Sequence, residues 1–117
     1  MDTIDVLIVG AGPAGLRAAQ VLAEAGREIV VAEKRDEIGP KTCAGGLTPK
    51  TVDLLRPLGL PDQLGLERVG QVTFEGRSCV LHPERTIVRT VPRRELGRHQ
   101  LRWARAAGAD VLSLIHI

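Results

Sequence analysis

The chain predicts an α/β fold, a βαβ unit with a parallel sheet and a small β-rich insertion, in a length of about one small domain. Three neighbouring stretches carry that expectation. Ile4-Asp5-Val6-Leu7-Ile8-Val9 is an aliphatic, β-branched run, and Gly10-Ala11-Gly12-Pro13-Ala14-Gly15 follows it without a spacer. The strand pattern then returns at Glu28-Ile29-Val30-Val31-Ala32-Glu33. Apolar runs of this kind, with a single early polar interruption, read as strands buried on both faces.

The glycines between the strands have separate physical roles. Gly10 permits the sharp exit from the strand, Gly12 lets backbone approach a pyrophosphate where a Cβ would collide, and Gly15 lets the helix pack closely on the sheet. N–H groups of the first helical turn then face the phosphates along a favourable helix dipole. Pro13 suits that turn, where its missing N–H costs nothing. In the helix that follows, Ala14, Ala18, Val21, Leu22 and Ala25 are expected to face the sheet. Arg17, Gln20 and Glu24 form the solvated stripe, and Gly26 ends the helix. Glu33 closes the second strand where a carboxylate can accept both hydroxyls of an adenosine ribose, and where a 2′-phosphate would be repelled. A bare Gly-x-Gly-x-x-Gly also occurs by chance in loops, as a turn with no ligand. The flanking strand, helix and acid make this one a Rossmann-like dinucleotide fingerprint.

Composition narrows the classes further. A net charge of +2 creates no field that demands a polyanion. Phe74 and Trp103 are the only aromatics, so there is no base-stacking surface and nucleic-acid binding is not expected. No apolar run is long enough to span a membrane, and the first strand begins too early to leave room for a signal peptide. The expected compartment is the cytoplasm, with or without contact to a membrane surface. Cys43 and Cys79 lack metal-ligand spacing, and His82, His99 and His116 pair with no nucleophile, so neither a metal site nor a hydrolytic triad is expected.

Beyond Glu33, residues 34–47 form a long connection rich in charge and glycine, leaving the sheet edge where open α/β folds place ligands. Backbone at Gly45 and Gly46 can approach a flat ring or a phosphate, though a plain surface loop accounts for the composition as well. Thr48-Pro49 opens a short packing helix with Val52, Leu55 and Leu58 on its apolar side and Lys50, Asp53 and Arg56 on its wet side, ended by Gly59 and Pro61. From residue 68 to 91 the pattern alternates. Val69–Phe74 and Cys79–Leu81 flank Glu75-Gly76-Arg77 as a hairpin, and Thr86–Val91 is a third run.

A last helix begins at Pro92-Arg93. It places Leu96, Trp103, Ala104 and Ala107 against a core and Arg94, Arg98, Arg102 and Arg105 on the other side. Arg93 sits at the helix start, where a cation is mildly disfavoured by the dipole; a solvated arginine and a bound anion that relieves the misfit are the two readings. Gly97 is expected to weaken this helix. Gly108-Ala109-Asp110-Val111 turns into another parallel strand. Residues 112–117 can be written in codons as CTG TCT CTT ATA CAC ATC, a transposon end used in sequencing libraries. They are therefore expected to be a non-native tail, with the natural protein continuing past Val111; the alternative is a genuine final strand.

Gly10-Ala-Gly-Pro-Ala-Gly-Leu16, Val31-Ala-Glu33-Lys-Arg35 and above all Lys41-Thr-Cys43-Ala-Gly-Gly46-Leu-Thr-Pro49 resemble the geranylgeranyl reductase family, FAD-dependent proteins that share the fold of the aromatic-ring hydroxylases. The resemblance is strong over the N-terminal half and looser beyond it. It implies that residues 1–111 are the N-terminal part of an FAD/NAD(P)-binding domain, truncated, with 68–91 beginning the substrate side. It further implies that Gly10, Gly12, Ala14 and Gly15 hold the FAD pyrophosphate and Glu33 its ribose, with Arg35 along the adenosine side. Cys43, Ala44 and Gly46 would contact the flavin half. Arg93, three residues before the first large apolar residue of the last helix, would reach the cofactor. Where the family then has an aspartate, this chain has Gly97.

The activity so implied is reduction of an isolated double bond in a prenyl chain, with NAD(P)H or another donor reducing the flavin. No catalytic residue is assignable. A peripheral membrane contact through the basic helix would suit a prenyl-lipid substrate, and a solvated face explains the same residues. The rival readings are an FAD-dependent aromatic monooxygenase of the same fold and a non-catalytic nucleotide-binding module.

Overall fold

The computed structural model describes residues 3–68, 71–80 and 88–113. The strand expectations at Val69, Gly70, Leu81, Thr86 and Ile87, together with residues 82–85 and 114–117, lie outside them. The chain divides into two compact units, one of residues 1–41 and 93–117 and one of residues 42–92.

In the first unit, β1 (Val6–Val9), β2 (Ile29–Glu33) and β8 (Asp110–Ser113) form a parallel sheet in the order β1-β2-β8. Val6 pairs with Ile29, Ile8 with Val31, and Val31 with Val111. Parallel neighbours require crossovers, and these are α1 (Pro13–Glu24) and α3 (Arg93–Ala106). Both helices cover one face of the sheet, so Leu16, Ala19, Ala23, Ile29, Val31, Ala104 and Val111 share a single core. Leu16 and Val31 are fully buried, each contributing about 1.5–3 kcal/mol relative to exposure.

Two expectations are corrected here. β1 is covered on one face only: Val6 and Ile8 turn toward the helices, while Leu7 and Val9 are 55% and 82% exposed. The reason is that α1 and α3 both lie on the same side within this unit. The phase of α1 also differs. Leu16, Ala19, Gln20 and Ala23 are buried, whereas Ala14, Ala18, Val21 and Ala25 are exposed. A helix this rich in alanine has a weak apolar stripe, and burial of its large Leu16 decides the rotation. Gln20 tolerates burial because it accepts from Arg17 Nη1 at 2.9 Å and donates to Glu24 Oε1 at 3.1 Å.

Helix α3 runs unbroken through Gly97 and buries Leu96, Gly97, Gln100 and Ala104, while Trp103 and Ala107 are half-buried. Arg94, Arg98, Arg102 and Arg105 are exposed as expected. Leu112 and Ser113 belong to β8, and Ser113 Oγ donates to the Arg35 carbonyl at 2.9 Å.

The second unit contains β3 (Gly46–Leu47), α2 (Pro49–Leu55) with a 3₁₀ turn at Arg56–Leu58, β4 (Leu66–Arg68), β5 (Gln71–Phe74), β6 (Arg77–Val80) and β7 (Val88–Thr90). β7 lies antiparallel between β3 and β4. β5 and β6 form the expected hairpin, with Phe74 opposite Arg77. Its turn is two residues, Glu75 and Gly76, both at positive φ, so Arg77 is already in the strand. Thr48 caps α2 by accepting from the Thr51 N–H at 3.3 Å, and left-handed Gly59 ends the 3₁₀ turn. Val52 is buried, and Leu55 and Leu58 half-buried, as the apolar spacing predicts.

Candidate dinucleotide site

The site begins where β1 ends. Gly10 leaves the strand at φ +102° while its N–H donates to the Ala32 carbonyl at 2.8 Å, so the turn stays tied to β2. Gly12 is the N-cap of α1 in extended conformation and has no side chain to cap with. Pro13 follows at N1, and the first helical bond runs from Leu16 N–H to the Gly12 carbonyl at 2.9 Å. Helix geometry therefore leaves the Ala14 and Gly15 N–H groups without intrahelical acceptors. The fingerprint glycines differ in what surrounds them. A Cβ at Gly12 would meet nothing within 4 Å, whereas a Cβ at Gly15 would run into the Gly10 carbonyl, with its carbon 3.3 Å away and Ile8 Cγ2 at 3.4 Å. The space beside Gly12 is open, whereas Gly15 lets the turn close on itself.

Glu33, at the end of β2, has a second role that the ribose expectation did not include. Its Oε2 accepts from the Ala11 N–H at 2.7 Å and its Oε1 from the Arg35 N–H at 3.0 Å, so the carboxylate braces the glycine turn against its own strand end. A carboxylate has about four acceptor positions, and those left over can still take hydroxyl donors. The Ala11 N–H, ahead of the weaker opposing effect of burial, holds the Glu33 carboxyl below its ordinary pKa.

A carboxyl depressed on folding stabilises the protein above its unfolded-state pKa, and that stabilisation fades as pH falls through the lower folded value. Wild type is thus expected to lose stability faster than Glu33→Gln as pH drops below the usual carboxylate range. Urea midpoints measured at stepped acidic pH check this, and parallel curves would show that the brace is not ionic.

The 34–41 connection lies along α3. Arg35 Nη1 reaches the Pro40 carbonyl at 3.2 Å, and Glu37 pairs with Arg94 Nε at 2.8 Å and Arg98 Nη2 at 3.7 Å. These pairs are exposed and each contributes at most about 1 kcal/mol. Backbone contact is tighter: a Cβ on Gly97 would run into Gly39 Cα and stand 3.1 Å from Gly39 N. Gly97, expected only to weaken its helix, is what lets the connection seat on it.

Gly12, Pro13, Glu33, Arg35, Arg93 and Gln100 are among the residues around one cavity of about 260 Å³. Arg93 is half-buried at the start of α3, and among the described residues no carboxylate lies within ion-pair distance of it. Gln100 was not singled out from the sequence. It is 8% exposed, its Nε2 is 3.5 Å from the Pro13 carbonyl, and its Oε1 has no hydrogen-bond partner among the described residues. The signal for it was a polar side chain four residues after Leu96 and four before Ala104, on the buried stripe.

The remaining sequence-predicted residues stand at the start of the second unit. Cys43 is an exposed free thiol whose Sγ accepts from the Gly45 N–H at 3.4 Å; Ala44 and Gly46 are exposed. Gly45 lies against the Val91 carbonyl, and its own carbonyl accepts from the Val91 N–H at 2.9 Å. Its positive φ of 76° serves the close approach of β3 to β7.

Parallel strands, a glycine turn entering an uncapped helix and an acid closing the second strand define a Rossmann-like nucleotide-binding domain. More narrowly, the chain belongs to the FAD binding domain family, which it matches over residues 3–112. It is 37% identical over 119 residues to the digeranylgeranylglycerophospholipid reductase of Methanoculleus marisnigri, covering 95% of this chain and 29% of that protein. Over 61 residues, 52% of this chain and 11% of the relative, it is 43% identical to the aklavinone 12-hydroxylase of Streptomyces purpurascens. A solved geranylgeranyl bacteriochlorophyll reductase-like protein from Thermoplasma acidophilum superposes with a TM-score of 0.83 at 31% identity, over 97% of this chain and 30% of that one. The chain thus spans less than a third of each relative's length. The expected kinship with geranylgeranyl reductases is met, and so is kinship with FAD-dependent oxidoreductases as a class.

FAD fits the residues present. A Cβ at Gly12 would meet nothing within 4 Å, and beside the same cavity, among the described residues, the Arg93 guanidinium has no carboxylate partner and Gln100 Oε1 no hydrogen-bond donor.

Proposed function

We propose that this chain is the FAD-binding portion of a flavin-dependent oxidoreductase of the geranylgeranyl reductase kind, acting on double bonds of a prenyl chain with electrons from NAD(P)H or another donor. The observation that carries the binding part is the cavity at the open N-terminus of α1, walled by Glu33 and Arg93. The substrate class rests on the digeranylgeranylglycerophospholipid reductase likeness along nearly the whole chain. When bound, FAD supplies hydride transfer to and from its partners.

The chain's own residues bind and orient. Gly10, Gly12, Ala14 and Gly15 offer backbone and open space to the pyrophosphate, Glu33 accepts from the ribose while bracing the turn, and Arg35 borders the adenosine side. Arg93 places its charge toward the phosphates. Cys43, Ala44 and Gly46 are assigned to the flavin half by resemblance. Among the described residues no helix is long and apolar enough to cross a membrane. A cytoplasmic location with peripheral contact through the arginines of α3 belongs to this proposal, as does the reading of residues 112–117 as foreign. Sequencing the gene through the Val111 codon checks the latter.

Spectroscopic titration of the full-length protein with FAD, followed by anaerobic reduction with NADH or NADPH and analysis of a prenyl-lipid product, tests the whole. Failure to take up flavin would sink it. Hydroxylation of an aromatic substrate with oxygen uptake would favour the monooxygenase reading, which the aklavinone 12-hydroxylase match supports. Gly12→Ala separates binding from folding. It is expected to weaken FAD binding at least ~10-fold while unfolding free energy shifts by less than ~1 kcal/mol, because the new Cβ meets only space reserved for ligand.

A further inference from the structure

We propose that Gln100 is a further cofactor-binding residue, its Oε1 accepting a hydrogen bond from a ribose hydroxyl of the dinucleotide, directly or through one bridging water. The inference rests on the FAD reading above and names a residue that neither the glycine fingerprint nor the family motifs include.

Gln100 is more than nine-tenths buried on α3, yet half of its carboxamide is unanswered. A buried acceptor without a partner costs about 1–3 kcal/mol, so its persistence calls for a donor present in the working state. As placed, the amide has its nitrogen end on the Pro13 side and its oxygen end without a partner among the described residues. Oε1 therefore demands a donor, which excludes a phosphate oxygen as its direct partner. The neighbourhood agrees: Gln100 borders the same cavity as Gly12, Pro13, Glu33 and Arg93 at the open end of α1. A dinucleotide brings both kinds of group there, anionic oxygens for the helix end and Arg93, and ribose hydroxyls for Glu33 and Gln100.

Gln100→Met in the full-length protein keeps the length and unbranched shape of the side chain while removing its polar end. FAD affinity is expected to fall about three- to ten-fold, the scale of one neutral hydrogen bond, while the apo-protein melts at or above the wild-type temperature because a buried orphan is gone. Competition of ADP, 2′-deoxy-ADP and 3′-deoxy-ADP against FAD gives the second reading. The affinity lost by removing one ribose hydroxyl should be smaller in Gln100→Met than in wild type.

Unchanged FAD affinity in Gln100→Met overturns the assignment. So does a weakened affinity with equal deoxy penalties in both proteins, which would mean that Gln100 only supports Pro13. Wild-type protein that binds no FAD overturns the parent reading and this assignment together.

Discussion

Gly15→Ala is expected to cost about 2–4 kcal/mol of stability and to abolish flavin uptake, although alanine is the better helix former by about 1 kcal/mol. The added Cβ would collide with the Gly10 carbonyl, and backbone on backbone has no rotamer through which to escape. Gly10 is tied to Ala32 by its N–H, and the next residue, Ala11, is tied to Glu33, so the turn cannot yield without loosening β2. Thermal melting and FAD titration of the full-length variant would check this. Near-normal melting with near-normal binding would mean that the turn relaxes more freely than its hydrogen bonds suggest. The contrast with Gly12→Ala is the informative part, since two glycines three residues apart are expected to fail in different ways.

Gly97→Ala should destabilise by about 1–3 kcal/mol and weaken FAD binding more than Arg98→Ala does. A methyl group there would push into the Gly39 backbone and would lift the 34–41 connection from α3. The Glu37 pairs with Arg94 and Arg98 would be stretched, and the cavity wall that includes Gly39 and Gly97 would open. Arg98→Ala serves as the comparison. It removes only a long, exposed pair and is expected to shift stability by less than ~1 kcal/mol. Equal melting temperatures for the two variants would show that the glycine contact does not hold the connection.

The dinucleotide site was legible where chemistry depends on local backbone. Gly10, Gly12, Gly15 and Glu33 announce themselves because a tight turn, an open helix end and a strand-terminal acid impose residue types at fixed spacing. Gln100 was hidden by its helix, where a lone polar residue on an apolar stripe reads as noise until its neighbours are known. The bracing role of Glu33 was equally out of sight, since it depends on the distance from the end of β2 to the Ala11 N–H. Arg93 was singled out through the family resemblance, and it is among the residues around the cavity.

Element order, the parallel βαβ arrangement and the hairpin turn at Glu75-Gly76 follow from periodicity and turn chemistry, which act between residues close in the chain. Which side of α1 turns inward does not follow, because its alanines are nearly equivalent and burial of Leu16 selects the rotation. Coverage of β1 on one face rather than two depends on where α3 lands after some eighty residues of chain. The value of Gly97 likewise lies wholly in its meeting with Gly39. Short-range rules make the site recognisable, and contacts between residues far apart in sequence set its walls.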